Sequence, residues 1–491
     1  MTLTVKAVIF GAGRVSNTLL GMATMVLLAR CLGSGDYATY RQATYLFQFL
    51  GTMMALGFPD AVLYFIPRAP DQRGKILAET LTTLAFLGGG FSAALMLGGA
   101  GLLAEMFQNP LLAEILTEYA IFPLLLLPTL AIPGALAACG RVVAASLFML
   151  TNRALTFALV VGATWTSPNA DAALQATTLA LALSLGVGLT QILWLCGPLR
   201  FKLSLDHLRA MLVYAVPLGA CCIVSSLILG LDKFLVASMC GTGEYALYVT
   251  GALELPLVAI VAQSLDAVLT PEVARLQQNN DTRTILRIWH EQIAKAARLL
   301  LPIFCFCMLF AEPIMVLLFT NRFAESGSTF RWYLALMLMG LPCWGTIFKG
   351  LGKQGVQLGC ELAGLLVQVA LTIICIAVLG PNGAAFALIA TLALVVCPLY
   401  SLGLTRQLQC SFTNLLPWVA LAKAFVVAAL PLLLSLPIAW LGLSPLATLI
   451  VGGIVYGIVF VAVDLGIRYS RKTPPPSVEQ LHSEPQQLSA A

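Results

Sequence analysis

The chain has 491 residues, of which 59% are hydrophobic and only 10% charged. A soluble globular domain carries about 25% charged residues, so the composition excludes one and places the chain in a bilayer. The net charge of +5 follows from loops rich in Lys and Arg on one side and gives no support to a nucleic-acid partner.

A helix needs about 20 apolar residues to cross about 30 Å of hydrocarbon. About fourteen such stretches follow one another, twelve at the least, so an all-α polytopic membrane protein is expected. The first is predicted over 8–30. It lacks an A-x-A-type cleavage site and reads as a retained helix. It holds Arg14, with Asn17 and Thr18 extending a polar stripe one turn on. The sequence GSGDYATY follows at 33–40. Gly33 is expected to end the helix in the left-handed conformation, Asp36 to put a negative charge at the next helix start, and Tyr37 and Tyr40 to sit at the water interface.

The second span is predicted over 41–66 and the third over 78–101, followed by an acidic connection with Glu105, Glu114 and Glu118. The fourth, 117–139, carries Pro123, Pro128 and Pro133 as candidate bends. The fifth, 142–165, places Arg153 about eleven residues in, roughly 16 Å deep and near the midplane. The sixth covers 172–197.

The seventh span, 209–239, contains Pro217 and the adjacent pair Asp232 and Lys233. The eighth, 245–270, contains Glu254 and Pro256, with Glu254 as deep as Arg153. The charged segment 271–295 is expected to be a separate interfacial helix. Spans are then predicted over 296–319, 331–348, 356–379 with Glu361, 383–404, 417–440 with Lys423, and 445–467. The tail from Thr473, rich in Pro, Ser, Gln and Glu, is expected to be disordered.

Two stretches occur twice. GSGDYATY at 33–40 returns as GTGEYALY at 241–248, with Gly241, Glu244, Tyr245 and Tyr248 in register, and Asp60-Ala-Val-Leu returns at Asp266. Two matches at nearly constant offset indicate a duplication. Six spans separate the copies, and an even number restores orientation, so the repeats are parallel. Residues 1–205 are expected to form one six-helix lobe, 206–405 the second, 406–470 two further spans, and 471–491 a cytoplasmic tail. Asp60 and Asp266 end corresponding helices, where a role at the interface is the simpler reading.

Cytoplasmic loops are enriched in Lys and Arg. Most of the 27 basic residues fall on one face, among them Lys6, Arg68, Arg73, Lys75, Arg141 and Arg200, whereas the other shows Arg30, Arg41, Arg322 and Arg331. A multi-pass protein of the cell (inner) membrane is expected, with both termini cytoplasmic. The thirteen cysteines lack a Cys-x-x-Cys and mostly sit in apolar spans, where they read as small membrane residues. Neither they nor the three histidines predict a metal site.

The segment LLARCLGSGDYATY, with a second helix ending ALGFPDAVLYFIPR, resembles the start of polysaccharide flippases of the Wzx type, in the MOP superfamily that also holds the MATE exporters and the lipid II flippases. YAVPLGACCIVSSLILGLDKFLVASMCGTGEYALY is similar to that family's seventh-helix pattern. The resemblance covers residues 1 to about 467. Family members often carry Gly directly after the loop tyrosine, where this chain has Ala38 and Ala246. The resemblance implies MATE-like lobes forming a V around a cavity. It also implies alternating access that flips an oligosaccharide on an undecaprenyl-diphosphate-type lipid for polysaccharide export. Glycan-assembly enzymes and membrane lipids are the partners implied. No cofactor is implied, and a coupling H+ or Na+ stays open.

Ionisable residues inside spans cost about 2.5 to 3.5 kcal/mol at a helix centre, which makes them the site candidates. They are Arg14, Arg153, Asp232, Lys233, Glu254, Glu361 and Lys423, with Asn17 beside Arg14. A cavity role and a structural pair compete for each, and Arg14, Glu361 and Lys423 are shallow enough for the long side chains to snorkel. Guanidinium groups can hold a diphosphate through paired hydrogen bonds, and acids can take sugar hydroxyls or a cation. A cation-coupled multidrug exporter would use the same acids for a cationic drug. A membrane glycan polymerase or ligase fits less well: outer connections are short, and there is no phosphate loop and no Asp-x-Asp pair.

Overall fold

A computed structural model of the chain describes residues 3–199, 205–253 and 281–470, with scattered positions between 255 and 279. Every regular element among the described residues is a helix. Among the described residues, eight helices are long and apolar enough to cross a membrane, or nine if one bent pair counts as a single span. Shorter or interrupted helices stand at the other expected positions, so a count of about fourteen is compatible with the chain.

The first half comprises α1 (Leu3–Cys31), α2 (Ser34–Met54), α3 (Phe58–Arg68), α4 (Arg73–Met106), α5 (Pro110–Glu118), α6 (Phe122–Ala138), α7 (Val142–Thr166) and α8 (Ala170–Leu195). The second comprises α9 (Leu205–Met239), α10 (Thr242–Gly251), α11 (Thr282–Leu309), α12 (Ala311–Leu318), α13 (Ser326–Gly340), α14 (Trp344–Gly350), α15 (Gln354–Leu379) and α16 (Pro381–Leu408). Helices α17 (Trp418–Trp440) and α18 (Pro445–Ser470) follow. α1 packs on α7, α4 on α6, α7 on α8 and α15 on α16, while α17 lies against α11 and α18.

The lipid face is legible in exposed apolar side chains such as Leu366, Val378, Leu433 and Ile458. Trp165 ends α7 and Trp194 ends its neighbour α8, 82% and 89% exposed, while Trp418 and Trp440 bracket α17. These are the amphipathic rings that suit the two water interfaces. The 26 residues of α8 span about 39 Å at 1.5 Å per residue, enough for the hydrocarbon and part of each headgroup layer.

The repeat is real in backbone terms, but its local reading needs correction. Gly33 and Gly241 share one conformation, φ −63° and ψ 159° against φ −66° and ψ 160°. Both are extended N-caps of the following helix, not left-handed ends of the preceding one. Asp36 acts on another helix start, accepting from the Ala170 amide at 3.0 Å. The four tyrosines are not at the water interface: Tyr37, Tyr40, Tyr245 and Tyr248 are all buried. They are covered because α2 and α10, the two repeated helices, pack against each other across the halves. The Thr250 hydroxyl lies 3.4 Å from that of Tyr37.

Interruptions fall at left-handed residues and π turns more than at the expected prolines. The second span breaks between α2 and α3, where Leu56 has φ 47° and Gly57 φ 73°. Cys343, with φ 49°, separates α13 from α14. Five-residue π turns sit at Leu95–Gly99 in α4 and Leu392–Val396 in α16. The helix α6 runs through Pro128 and Pro133, and the 64° change of direction comes earlier, between α5 and α6, with Pro123 in the first turn after it. α9 likewise continues through Pro217, while Pro256 lies outside the described residues. Prolines inside a membrane helix are tolerated where neighbouring helices, Ser or Thr side chains and local backbone adjustments satisfy the freed carbonyls.

Residues 282–295 are the first half of α11, not a separate interfacial helix. Its apolar stripe of Ile285, Trp289 and Ile293 is buried against Trp344, Phe348 and Tyr400, which explains the continuity. His290 belongs to this helix and bonds the Leu415 carbonyl at 3.0 Å.

Candidate functional site

Three polar clusters lie inside the helical bundle. The first is basic and sits among α1, α2 and α7. Arg153 is half-buried near the middle of α7, and its Nε is buried with no hydrogen-bond partner among the described residues. Its guanidinium presses on Gly21 of α1, where a Cβ would come 2.9 Å from Cζ and Nε. Only glycine gives the arginine that place. Asn17, half-buried, stands one turn before Gly21 on α1.

Arg41 completes the cluster. Its Nε is also buried without a partner. The two guanidinium groups lie within electrostatic range of each other and of the Tyr40 phenol, whose oxygen is 3.3 Å from the Thr177 hydroxyl. Neither arginine makes an ion pair among the described residues. A positive field with unmet N–H donors is suited to an anion.

The second cluster centres on Asp232 of α9, which is fully buried. Its Oδ2 accepts from the Tyr248 hydroxyl at 2.5 Å and from the Tyr333 hydroxyl, while Oδ1 has no partner among the described residues. Lys233 does not pair with it. Adjacent residues point about 100° apart on a helix, and the Lys233 ammonium sits 5.1 Å from the centroid of the Tyr333 ring.

The third cluster lies beside a cavity of about 320 Å³ bounded by α9, α13, α15 and α16. Glu361 is 5% exposed. It accepts from Ser225 at 2.7 Å, Gln357 at 2.9 Å and Tyr400 at 2.7 Å. All three donors are neutral. Met337, Met339, Trp344 and Tyr333 supply an apolar and aromatic wall.

The remaining predicted residues do not all converge. Lys423 is exposed on α17, apart from the three clusters. Arg14 is placed on α1 by its backbone alone, and Asp60 on α3 in the same way. Glu254, Asp266 and the tail beyond Ser470 lie outside the described residues. Sequence reasoning missed Arg41, Tyr248 and Tyr333. Arg41 is about two turns into α2, which begins already at Ser34, and the duplicated tyrosines carried a signal whose meaning depended on burial.

The fold is found in known transporters. An inward-facing multidrug resistance MATE family transporter of the MOP superfamily aligns at TM-score 0.66 and 16% identity, over 81% of this chain and 99% of its own. The lipid II flippase MurJ in an inward closed conformation aligns at TM-score 0.69 and 14% identity, over 93% and 98%. A MOP superfamily transporter from Pyrococcus furiosus aligns at 0.60 and 18%, over 83% and 96%. No curated protein matches the sequence. The chain thus has the multi-span helical fold of these transporters, and since residues 27–328 match the polysaccharide biosynthesis protein family, it belongs to that family.

Proposed function

We propose that the chain flips a polyprenyl-diphosphate-linked oligosaccharide from the cytoplasmic to the outer leaflet of the cell membrane, with both termini cytoplasmic. The observation that carries this reading is the pair Arg153 and Arg41, two guanidinium groups inside the bundle with buried N–H donors unmet. A diphosphate offers two anionic centres and many acceptor oxygens, the chemistry such a pair takes up. The lipid tail stays in the bilayer while the head group passes between the lobes, 1–205 and 206–405. Asp232 and Glu361 are the groups for sugar hydroxyls or a coupling cation. Membership of a polysaccharide biosynthesis family supports the choice of glycan over drug.

The test is export of glycan by cells carrying Arg153→Ala or Arg41→Ala, at matched protein level in the membrane. Loss of at least tenfold, partly restored by lysine at the same position, is the expected result. Undiminished export by both variants overturns the reading.

A second reading has one observation of its own. The cavity beside Glu361, apolar and aromatic around one buried carboxylate, has the chemistry of a site for a lipophilic cation. Binding of such a cation to the purified protein, abolished by Glu361→Gln, together with no binding of lipid-linked sugar, would favour an exporter.

A further inference from the structure

Helices α6 and α8 run in the same direction, each separated from the other by one antiparallel helix, and they pack on each other. Gly188 of α8 is seated on Ile132 of α6, where a Cβ would lie 3.0 Å from Ile132 Cγ2. Seven residues beyond Ile132 is Cys139, and eight beyond Gly188 is Cys196. Each step is about two turns, roughly 10 to 12 Å, so the two cysteines stand at one level where the helices end. Both are C-cap residues and both are free thiols. Cys196 is 1% exposed, whereas Cys139 is half-buried and open to a small reagent.

Two arginines attend the pair. Arg141 is two residues after Cys139, and Arg73 lies beside the next residue after Cys196, with its Nη2 3.7 Å from a Cβ placed at Gly197. Neither cysteine contributes to the three clusters above. We propose that Cys139 and Cys196 form a peroxide-sensitive dithiol that closes into a disulfide between the ends of α6 and α8.

The local chemistry divides the roles. Cys139 is half-buried and reachable by peroxide, and Arg73 and Arg141 stand close enough to favour its thiolate. Cys196, 1% exposed, is shielded from the reagent. Cys139 is therefore the attacking sulfur and Cys196 the resolving one. The Cys139 thiolate attacks one oxygen of hydrogen peroxide. An S–O bond forms, the O–O bond breaks, and the departing hydroxide leaves as water with the thiol proton. Cys196 sulfur then attacks the sulfenic acid, the S–S bond forms as the S–O bond breaks, and the second hydroxide leaves as water with the Cys196 proton. Two thiols give up two electrons to one peroxide. A reducing cytosol returns the pair to thiols.

The test uses membranes holding the full chain, treated with hydrogen peroxide and analysed by peptide mass mapping. A tryptic pair joined through Cys139 and Cys196, lost on treatment with dithiothreitol, is the expected product. In Cys196→Ser, Cys139 is expected to accumulate as a sulfenic acid captured by dimedone, and in Cys139→Ser no adduct is expected at Cys196. Failure of the native chain to give the linked pair, at peroxide levels that oxidise an exposed control thiol, overturns the proposal. So does equal dimedone labelling, in Cys196→Ser, of Cys139 and of the other half-buried cysteines. Glycan export enters none of these measurements, so they stand or fall apart from the proposed transport.

Discussion

Arg30 and Arg322 each cap the helix that leads to the other. Arg30, near the end of α1, donates to the carbonyls of Leu318, at 2.8 Å, and Leu317 at the end of α12. Arg322, just past α12, donates to Ala29 and Leu32 at the end of α1, both at 3.0 Å. Cations at helix C-termini meet carbonyls that no amide satisfies. The clasp joins the two halves at the end of the bundle that carries Gly33 and Gly241, so the proposed transport by alternating access requires it to open. Each exposed contact stabilises by about 0.3 to 1 kcal/mol, and the double variant Arg30→Ala with Arg322→Ala is expected to shift the closed-to-open ratio on the order of tenfold. The half-buried Cys31 reports it: maleimide labelling at Cys31 is expected to rise in the double variant. Unchanged labelling would show that the clasp does not hold this end shut.

The contact of Arg153 with Gly21 predicts coupling between two positions on different helices. A methyl at Gly21 would run into the guanidinium, so Gly21→Ala is expected to displace Arg153 without removing it. Glycan export should fall in Gly21→Ala nearly as far as in Arg153→Ala, and the double variant should be no worse than the worse single. Neighbours that act as one unit are non-additive in this way. Additive losses, at equal protein level, would place Gly21 and Arg153 in separate roles.

Much of the bundle was legible because spanning helices must be long and apolar, a constraint written directly into composition. The repeat was legible for the same reason, since its copies keep Gly, acid and Tyr in register. The environment of the tyrosines was not. A ring with a hydroxyl fits a water interface and a buried polar cluster equally well, and only the packing of α2 on α10 decides between them. Asp232 was found from its cost in the membrane, but its donors Tyr248 and Tyr333 come from α10 and α13, 16 and 101 residues away in sequence. Arg41 was missed because the start of α2 was set seven residues late, which turned a half-buried arginine two turns into the helix into one at a helix end.

Acid sensitivity is predicted where α11 begins. Asp281 caps the helix by accepting from the Thr284 amide at 3.1 Å. Hydrogen bonds from the Thr284 side chain and backbone hold its carboxyl below the usual carboxylate range. A carboxyl lowered in the folded state adds stability above its unfolded pKa and loses it as the pH falls through the folded value. Protection of amides 282–286, taken relative to the intrinsic exchange rate at each pH, is therefore expected to fall below about pH 4. Asp281→Asn keeps a capping oxygen and should flatten that dependence, whereas Asp281→Ala should raise exchange at every pH. An acid-independent native chain would mean that the cap is not formed in the membrane.

Asp232 offers the sharpest separation of structure from transport. A buried carboxylate without a counter-charge depends on its neutral donors, and each one removed leaves acceptor capacity unmet at a cost of about 1 to 3 kcal/mol. Tyr333→Phe and Tyr248→Phe are each expected to lower the thermal unfolding midpoint of the purified protein. Asp232→Asn in the Tyr333→Phe background should recover part of the loss, because an amide needs fewer donors than a carboxylate. If Asp232 also carries a coupling cation, that rescued double variant will be stable yet will not respond to an imposed proton or sodium gradient. A stable variant that still responds would assign Asp232 to the packing of α9 on α10 and α13 and remove it from the proposed coupling.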